Sequence, residues 1–212
     1  MVDYLWRPMP PENAADFMRS PVLEEWLRAS FIDPRGPLFS ERHAILDQAS
    51  IGVLWARPEA KSKGRILAGT AQIMRPPLGA FGWERNIWEW SMAKFFGDDP
   101  EEWPDFRLTF WVEAALAADD ASWCALAKHE LCHCAQKEND YGPMFHKAGP
   151  KKGLPVWEVC GHDIEQFNDV VEDFGIDATM GARGFIEASK RGPRIAQAKV
   201  ALACGTCLAK AT

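Results

Sequence analysis

Features that would place a protein in a membrane or outside the cell are missing from this sequence. No apolar run is long enough to span a bilayer. The N-terminus, Met-Val-Asp-Tyr-Leu-Trp-Arg-Pro, lacks the charged and then apolar stretches of a signal peptide. We therefore expect a cytoplasmic protein with no membrane partner, whose six cysteines are thiols or metal ligands and not disulfides.

Positive charge is also scarce. The chain has 24 Lys and Arg and 30 Asp and Glu, which gives a net charge of −6. This balance argues against a chain-wide nucleic-acid footprint. Residues 176–212 are the exception, with three Lys, three Arg, one Asp and one Glu. A solvated basic tail is the simpler interpretation of this segment, and contact with nucleic acid is the alternative.

No internal repeat interrupts the 212 residues, and 47% hydrophobic content suits a globular protein. We expect one main domain over residues 1–175, with a helical segment at 1–45 and a core at 46–175. The segment 176–212 is then a C-terminal extension that contains Cys204-Gly205-Thr206-Cys207. This lone C-x-x-C pair could be half of a shared site, a redox pair or two thiols, and we expect no structural zinc there.

Histidine is scarce, with five in the chain, yet two of them form H-E-x-x-H at His129-Glu130-Leu131-Cys132-His133. Roughly one accidental match is expected per hundred chains of this composition. Residues 119–142 also have the pattern of a mostly buried helix, with a cap at Asp119 or Asp120 and helix-stopping residues from Asn139 onward.

The helix gives the motif its chemical meaning. Residues four positions apart share one helix face, so His129 and His133 can bind one ion. Glu130 lies beside them and can act as the general base that takes a proton from the attacking water. The pattern therefore indicates a metal hydrolase. Core histidines near an unrelated glutamate are the alternative.

The remaining pattern predicts a mixture of helices and strands. Helices are expected at 12–30, as one helix or as two broken at Pro21, and at 81–96, whose many aromatic residues are expected in the core. Strands are expected at 51–56 and 65–74, which could form a hairpin, and at 106–113, where apolar and polar residues alternate. The last strand could line the substrate cleft or be an ordinary sheet strand.

A catalytic zinc site needs a third protein ligand. The downstream candidates are His146, Glu158, His162, Asp163 and Glu165. Glu158 would suit a glutamate-type zinc peptidase, and His162 stands at the expected start of a helix. His146 lies in a Gly/Pro/Lys-rich loop, and His43, further upstream, suits the surface or the edge of the core.

His129-Glu130-Leu131-Cys132-His133, followed by Gly161-His162-Asp163-Ile164-Glu165-Gln166-Phe167, resembles the SprT-like zinc metallopeptidases, and more closely the metallopeptidases encoded in bacteriophages and prophages. The resemblance covers roughly residues 45–175. It implies Zn²⁺ held by His129, His133 and His162, with Glu130 as the base. The spacing of 29 positions from His133 to His162 is longer than the SprT pattern.

The resemblance implies a peptidase acting on protein or peptide in the host bacterial cytoplasm. We expect an α+β, zincin-like fold, with a small antiparallel sheet of about three strands packed on helices and the motif on the central helix. A zinc hydrolase or nuclease acting on another bond, and a non-catalytic zinc-stabilised binding protein, are the alternatives. No oxyanion-stabilising residue stands out apart from Tyr141, one of two tyrosines. The sequence does not fix the oligomeric state.

Overall fold

The computed structural model describes residues 7–13, 15–76, 79, 81–149, 151–162, 182–199, 203–204 and 206. Within these residues the fold is α+β, as expected. The helices are α1 Pro21–Leu27, α2 Trp83–Phe96, α3 Val112–Ala117, α4 Asp120–Cys132 and α5 Ala182–Arg191. Shorter turns are a π-helical turn at Arg28–Ile32 and 3₁₀ helices at Glu41–Gln48 and Pro100–Glu102.

In the described part of the chain, ten strands accompany the helices. They are β1 Phe17–Arg19, β2 Ile51–Ala56, β3 Lys61–Ser62, β4 Arg65–Ile73, β5 Phe106–Trp111, β6 Cys134–Gln136, β7 Glu138–Asn139, β8 Gly142–Pro143, β9 Trp157–Val159 and β10 Ala203–Cys204. The main sheet has the order β1-β2-β5-β4-β10, and β3 also pairs with β4. The pairs β6-β9 and β7-β8 lie outside this sheet.

The expected small antiparallel sheet is wrong in two respects, because the main sheet is larger and mixed. β2 and β5 run parallel, and so do β4 and β10. The hairpin expected between residues 51–56 and 65–74 does not form, since β5 lies between β2 and β4. Burial explains this insertion. Because β2 is almost wholly buried and β5 buries every second residue, both strands are most stable in the interior of the sheet, with a strand on either side.

The position of β5 also decides its role. It is bonded to β2 on one side and to β4 on the other, so it is an ordinary interior strand without a free edge for substrate. Phe106, Leu108 and Phe110 are fully buried, which confirms the alternating pattern. Below them, Trp123 of α4 stacks on Trp55 of β2 at 5.4 Å between ring centroids.

The N-terminal part of the chain is less helical than expected. Residues 17–19 form β1, which pairs antiparallel with β2, and only Pro21–Leu27 forms α1. Ser20 caps α1 by accepting a hydrogen bond from the Leu23 amide, and Pro21 occupies the first turn, where a missing N–H costs nothing. The break expected at Pro21 is therefore a helix start.

Helix α2 lies close to the expected range, but its aromatic residues are not all in the core. Met92 and Phe96 are buried against Leu54, whereas Trp83 is 85% exposed and Trp90 is 69% exposed. Gly97 ends the helix at φ 95°, a conformation that favours glycine. Within the described part of the chain, none of the helices has the length and apolar character that crossing a membrane requires.

Residues beyond 175 take part in the main sheet. β10 pairs with β4 through Ala203 opposite Leu67 and Cys204 opposite Gly69. The division of the chain at residue 175 stays a prediction. Residues 163–175, which follow the expected helix start at His162, lie outside the described residues.

Candidate metal centre

Helix α4 places the H-E-x-x-H motif at its C-terminal end. Asp119 caps its start by accepting a 2.7 Å hydrogen bond from the Ser122 amide, as predicted. The helix ends at Cys132, earlier than the predicted stop near Asn139. The early end has a long-range cause: the His133 carbonyl accepts a hydrogen bond from the Cys160 amide, and the chain continues into β6, which pairs with β9.

Three histidines meet at this end of the helix. The Nε2 atoms of His129 and His133 are 3.3 Å apart, and those of His129 and His162 are 3.5 Å apart. The ring centroids of the three residues lie 4.9, 5.2 and 5.3 Å from one another. His133 is buried, His129 is half-buried and His162 is exposed, so the cluster opens to solvent on the His162 side.

These distances suit a shared tetrahedral ion. Two nitrogen ligands on tetrahedral zinc, each at 2.0–2.1 Å from the metal, lie about 3.3–3.4 Å apart. The donor set also suits zinc, which binds neutral imidazole readily. The distances from His129 to His133 and to His162 therefore fit the zinc ion that the sequence predicts.

The protonation of the histidines is compatible with metal binding. His133 Nδ1 lies 2.8 Å from the Cys160 carbonyl oxygen and donates to it in the neutral ring, which leaves Nε2 as a ligand. Burial, together with the charges of the nearby His133 and His162, lowers the pKa of His129 to about 4. His129 is thus held in the neutral form that binds a metal ion.

Glu130 points away from solvent, toward β4. It is fully buried, and its Oε1 has no hydrogen-bond partner among the described residues. Gly69 makes room for it, because a Cβ at that position would lie 3.0 Å from Oε1. Burial raises the pKa of Glu130 to about 7, although hydrogen bonds from Cys204 and Thr206 oppose the shift. A carboxyl group with this pKa can exchange protons near neutral pH.

Cys204 and Thr206 belong to the site although sequence reasoning did not place them there. Cys204 Sγ lies 3.5 Å from His133 Nε2, and the ligand atoms of His129, His133 and Cys204 all lie within 4.8 Å of one another. Thr206 Oγ1 lies 3.3 Å from Glu130 Oε2. The C-x-x-C pair was the signal in the sequence, but nothing in the sequence connects it to a motif about 70 residues upstream.

The other candidates lie in different settings. Glu158 is in β9, opposite Ala135, and His146 is in a loop where its backbone bonds to Gly153 and Leu154. Tyr141 is 98% exposed at the β7–β8 turn. His43, expected at the surface or core edge, is fully buried with Nε2 3.4 Å from Cys132 Sγ. Asp163 and Glu165 lie outside the described residues.

Comparison with known proteins gives one match. Residues 24–190 match the family described as "Putative phage metallopeptidase". Neither the curated proteins nor the solved structures give a match. The matched range is well over half of the chain and includes α4 and all three histidines. The chain therefore belongs to the phage metallopeptidase family.

Proposed function

We propose that this protein is a zinc-dependent peptidase of the SprT-like, zincin type that hydrolyses peptide bonds in the bacterial cytoplasm. His129, His133 and His162 hold the ion, and Glu130 is the general base. The observation that carries the proposal is the cluster of Nε2 atoms at distances suited to one ion, with the Glu130 carboxyl group buried next to it.

Each side chain has a defined task in this reaction. Zinc, when bound, supplies Lewis-acid activation of water and of the scissile carbonyl. His133 stays oriented because its Nδ1 donates to the Cys160 carbonyl. Glu130 takes a proton from the attacking water and passes it to the leaving amine. Its buried setting raises the proton affinity of the carboxyl group, which suits this transfer.

The proposal predicts a separation of metal binding from turnover. Glu130→Gln keeps the shape of the side chain and all three histidines, so zinc content should stay at one equivalent. Peptide cleavage should fall by about 10²–10⁴-fold, because an amide cannot accept the proton. Zinc is measured by elemental analysis, and cleavage by mass spectrometry of new termini in unfolded proteins and peptide libraries.

Matched variants sharpen this experiment. Glu158→Gln makes the same chemical change on β9 and should leave both zinc and cleavage intact. His162→Ala should lose zinc and cleavage together, whereas His146→Ala should lose neither. Equal cleavage by wild type and zinc-loaded Glu130→Gln would contradict the assigned base. Zinc loss on Glu158→Ala, with His162→Ala unaffected, would transfer the third ligand to Glu158.

A further inference from the structure

We propose that Cys204 is a fourth ligand of this metal, and that its thiolate closes the coordination position that water and substrate need. The inference rests on the proposed function because it requires the ion at the histidines. It adds a ligand from the segment after residue 175 and a resting state in which the peptidase is blocked by its own chain.

The first support is a distance. On tetrahedral zinc, with sulfur at 2.3 Å and nitrogen at 2.0–2.1 Å from the metal, the two ligand atoms lie about 3.6 Å apart. Cys204 Sγ and His133 Nε2 are 3.5 Å apart. The ligand atoms of His129, His133 and Cys204 all lie within 4.8 Å of one another. Thiolate is also a preferred zinc ligand, so the position and the chemistry of this side chain agree.

The second support is where the sulfur lies relative to Glu130. The Cys204 sulfur lies 3.5 Å from His133 Nε2, and Thr206, two residues further on, lies 3.3 Å from Glu130 Oε2, so this segment lies between the histidines and the base. A water attacking a substrate must occupy the same position, since it has to reach the ion and give its proton to Glu130. The thiol therefore competes with the nucleophile for this position.

The third support is that the neighbouring chain anchors the cysteine. Cys204 pairs with Gly69 on β4. Thr206 is buried, and its hydroxyl accepts a hydrogen bond from the Ala71 amide. The Thr206 proton can serve either the Ala71 carbonyl at 3.1 Å or Glu130 Oε2 at 3.3 Å. Strand pairing and the Thr206 hydrogen bonds therefore hold Cys204 in this position independently of its sulfur.

The same anchoring covers part of the sheet edge. The hydrogen-bonding groups of β4 that face β10 are the ones an extended peptide would use to add a strand next to α4. Substrate bound there must displace β10. The thiolate and the strand thus block the reaction at two points, the metal and the peptide-binding edge.

Cobalt provides a direct test, because a thiolate on Co²⁺ gives a sulfur-to-metal charge-transfer band in the near ultraviolet. Full-length wild type, Cys204→Ser and Cys160→Ser are each loaded with Co²⁺ and their spectra recorded. We expect the band in wild type. We also expect it in Cys160→Ser, because the thiol that this variant removes donates to the Cys132 carbonyl. We expect it to be lost in Cys204→Ser, with metal affinity weakened by at least about tenfold.

The outcomes separate this inference from the proposed function. One equivalent of Co²⁺ bound by wild type with visible ligand-field bands, but without a charge-transfer band, would overturn thiolate ligation and leave the histidine site standing. Failure of wild type to bind Co²⁺ would overturn the proposed metal site itself. A charge-transfer band that survives in Cys204→Ser would overturn the assignment to this cysteine.

A second measurement needs no variant and so does not depend on how Cys204→Ser folds. Wild type is treated with iodoacetamide with and without Zn²⁺, and alkylation at each cysteine is read by mass spectrometry. Zinc should protect Cys204 and slow its alkylation by about tenfold or more, since the thiolate is the reactive form and is bound to the metal. Equal rates at Cys204 with and without Zn²⁺ would overturn the inference.

Discussion

Helices α2 and α4 are similar in length and both contain many apolar residues, α2 mainly aromatic and α4 mainly small. They differ in how much of this apolar surface is buried. α4 buries Trp123, Leu126 and Leu131 under the sheet, and it buries Glu130 with them. α2 buries Met92 and Phe96 and exposes Trp83 and Trp90. Apolar content alone therefore does not tell how deeply a helix of this protein is buried.

The difference comes from what the rest of the chain supplies. Trp123 packs on Trp55 and Phe110, from two adjacent strands, and Arg7 lies over its ring at 5.2 Å. Arg7 also donates to the Ala115 and Ala118 carbonyls at the end of α3 and to the Asp120 carboxylate at the start of α4. The buried cluster of α2 is smaller and joins the sheet through Leu54.

The comparison predicts its largest effect at Trp123. Trp123→Ala removes a fully buried ring from contact with Trp55 and Phe110 and should lower the free energy of unfolding by about 3–5 kcal/mol. Trp123→Phe should cost much less, because the indole N–H has no hydrogen-bond partner among the described residues and its loss leaves nothing unpaired. Urea denaturation of both variants measures the difference.

The comparison of the two variants also tests whether the volume of the ring determines the loss of stability. If Trp123→Ala and Trp123→Phe are equally destabilised, the ring volume is not what matters and the contrast between the helices fails. A loss below about 1 kcal/mol for Trp123→Ala would mean that the core can close around the gap, which buried aromatic positions seldom allow.

His43 gives the next effect, a pH dependence of stability next to the end of α4. Burial, with smaller contributions from the positive charges of Lys128 and Arg42, lowers its pKa to about 4. Between pH 6.5 and 4 the unfolded chain binds a proton that the folded chain does not. His43 therefore does not lower the free energy of unfolding above pH 6.5. As the pH falls from 6.5 to 4, the free energy of unfolding drops by up to about 3 kcal/mol.

His43→Gln isolates this contribution, since glutamine does not titrate. Both proteins are unfolded in urea with EDTA present at several pH values, so that metal release at the histidine cluster does not enter. The loss of stability on acidification should be smaller in His43→Gln by the amount that His43 contributes. Parallel curves for the two proteins would show that the proton is accommodated in the folded state.

The sequence predicted what local patterns determine. The alternation of Phe106, Leu108 and Phe110 located β5, and Asp119 located the start of α4. Sheet order and helix burial depend on contacts between distant segments, which no local period records. The insertion of β5 beside β2 and the exposure of Trp90 belong to this class.

The site divides in the same way. The spacing of His129 and His133 is fixed within one helix, so their proximity could be read from the sequence. His162 was proposed from a resemblance, and its contact with His129 is consistent with that proposal. Cys204 reaches the site because β10 pairs with β4. Its position there could not be predicted, because a two-residue strand has too few residues to show a pattern.

The smallest predicted effect is at Trp90, and it tests the exposed half of the comparison. Its side chain is 69% exposed on α2, so Trp90→Ser removes little buried surface and should change the free energy of unfolding by no more than about 0.5 kcal/mol. Urea denaturation at two protein concentrations measures it, with Phe96→Ser as the matched variant on the buried face of the same helix. Phe96→Ser should be destabilised by several times more, because it empties a packed site and places a hydroxyl group there. A large loss in Trp90→Ser that grows with protein concentration would mean that this face is covered by a second copy in solution, and the contrast between α2 and α4 would then hold only for the single chain.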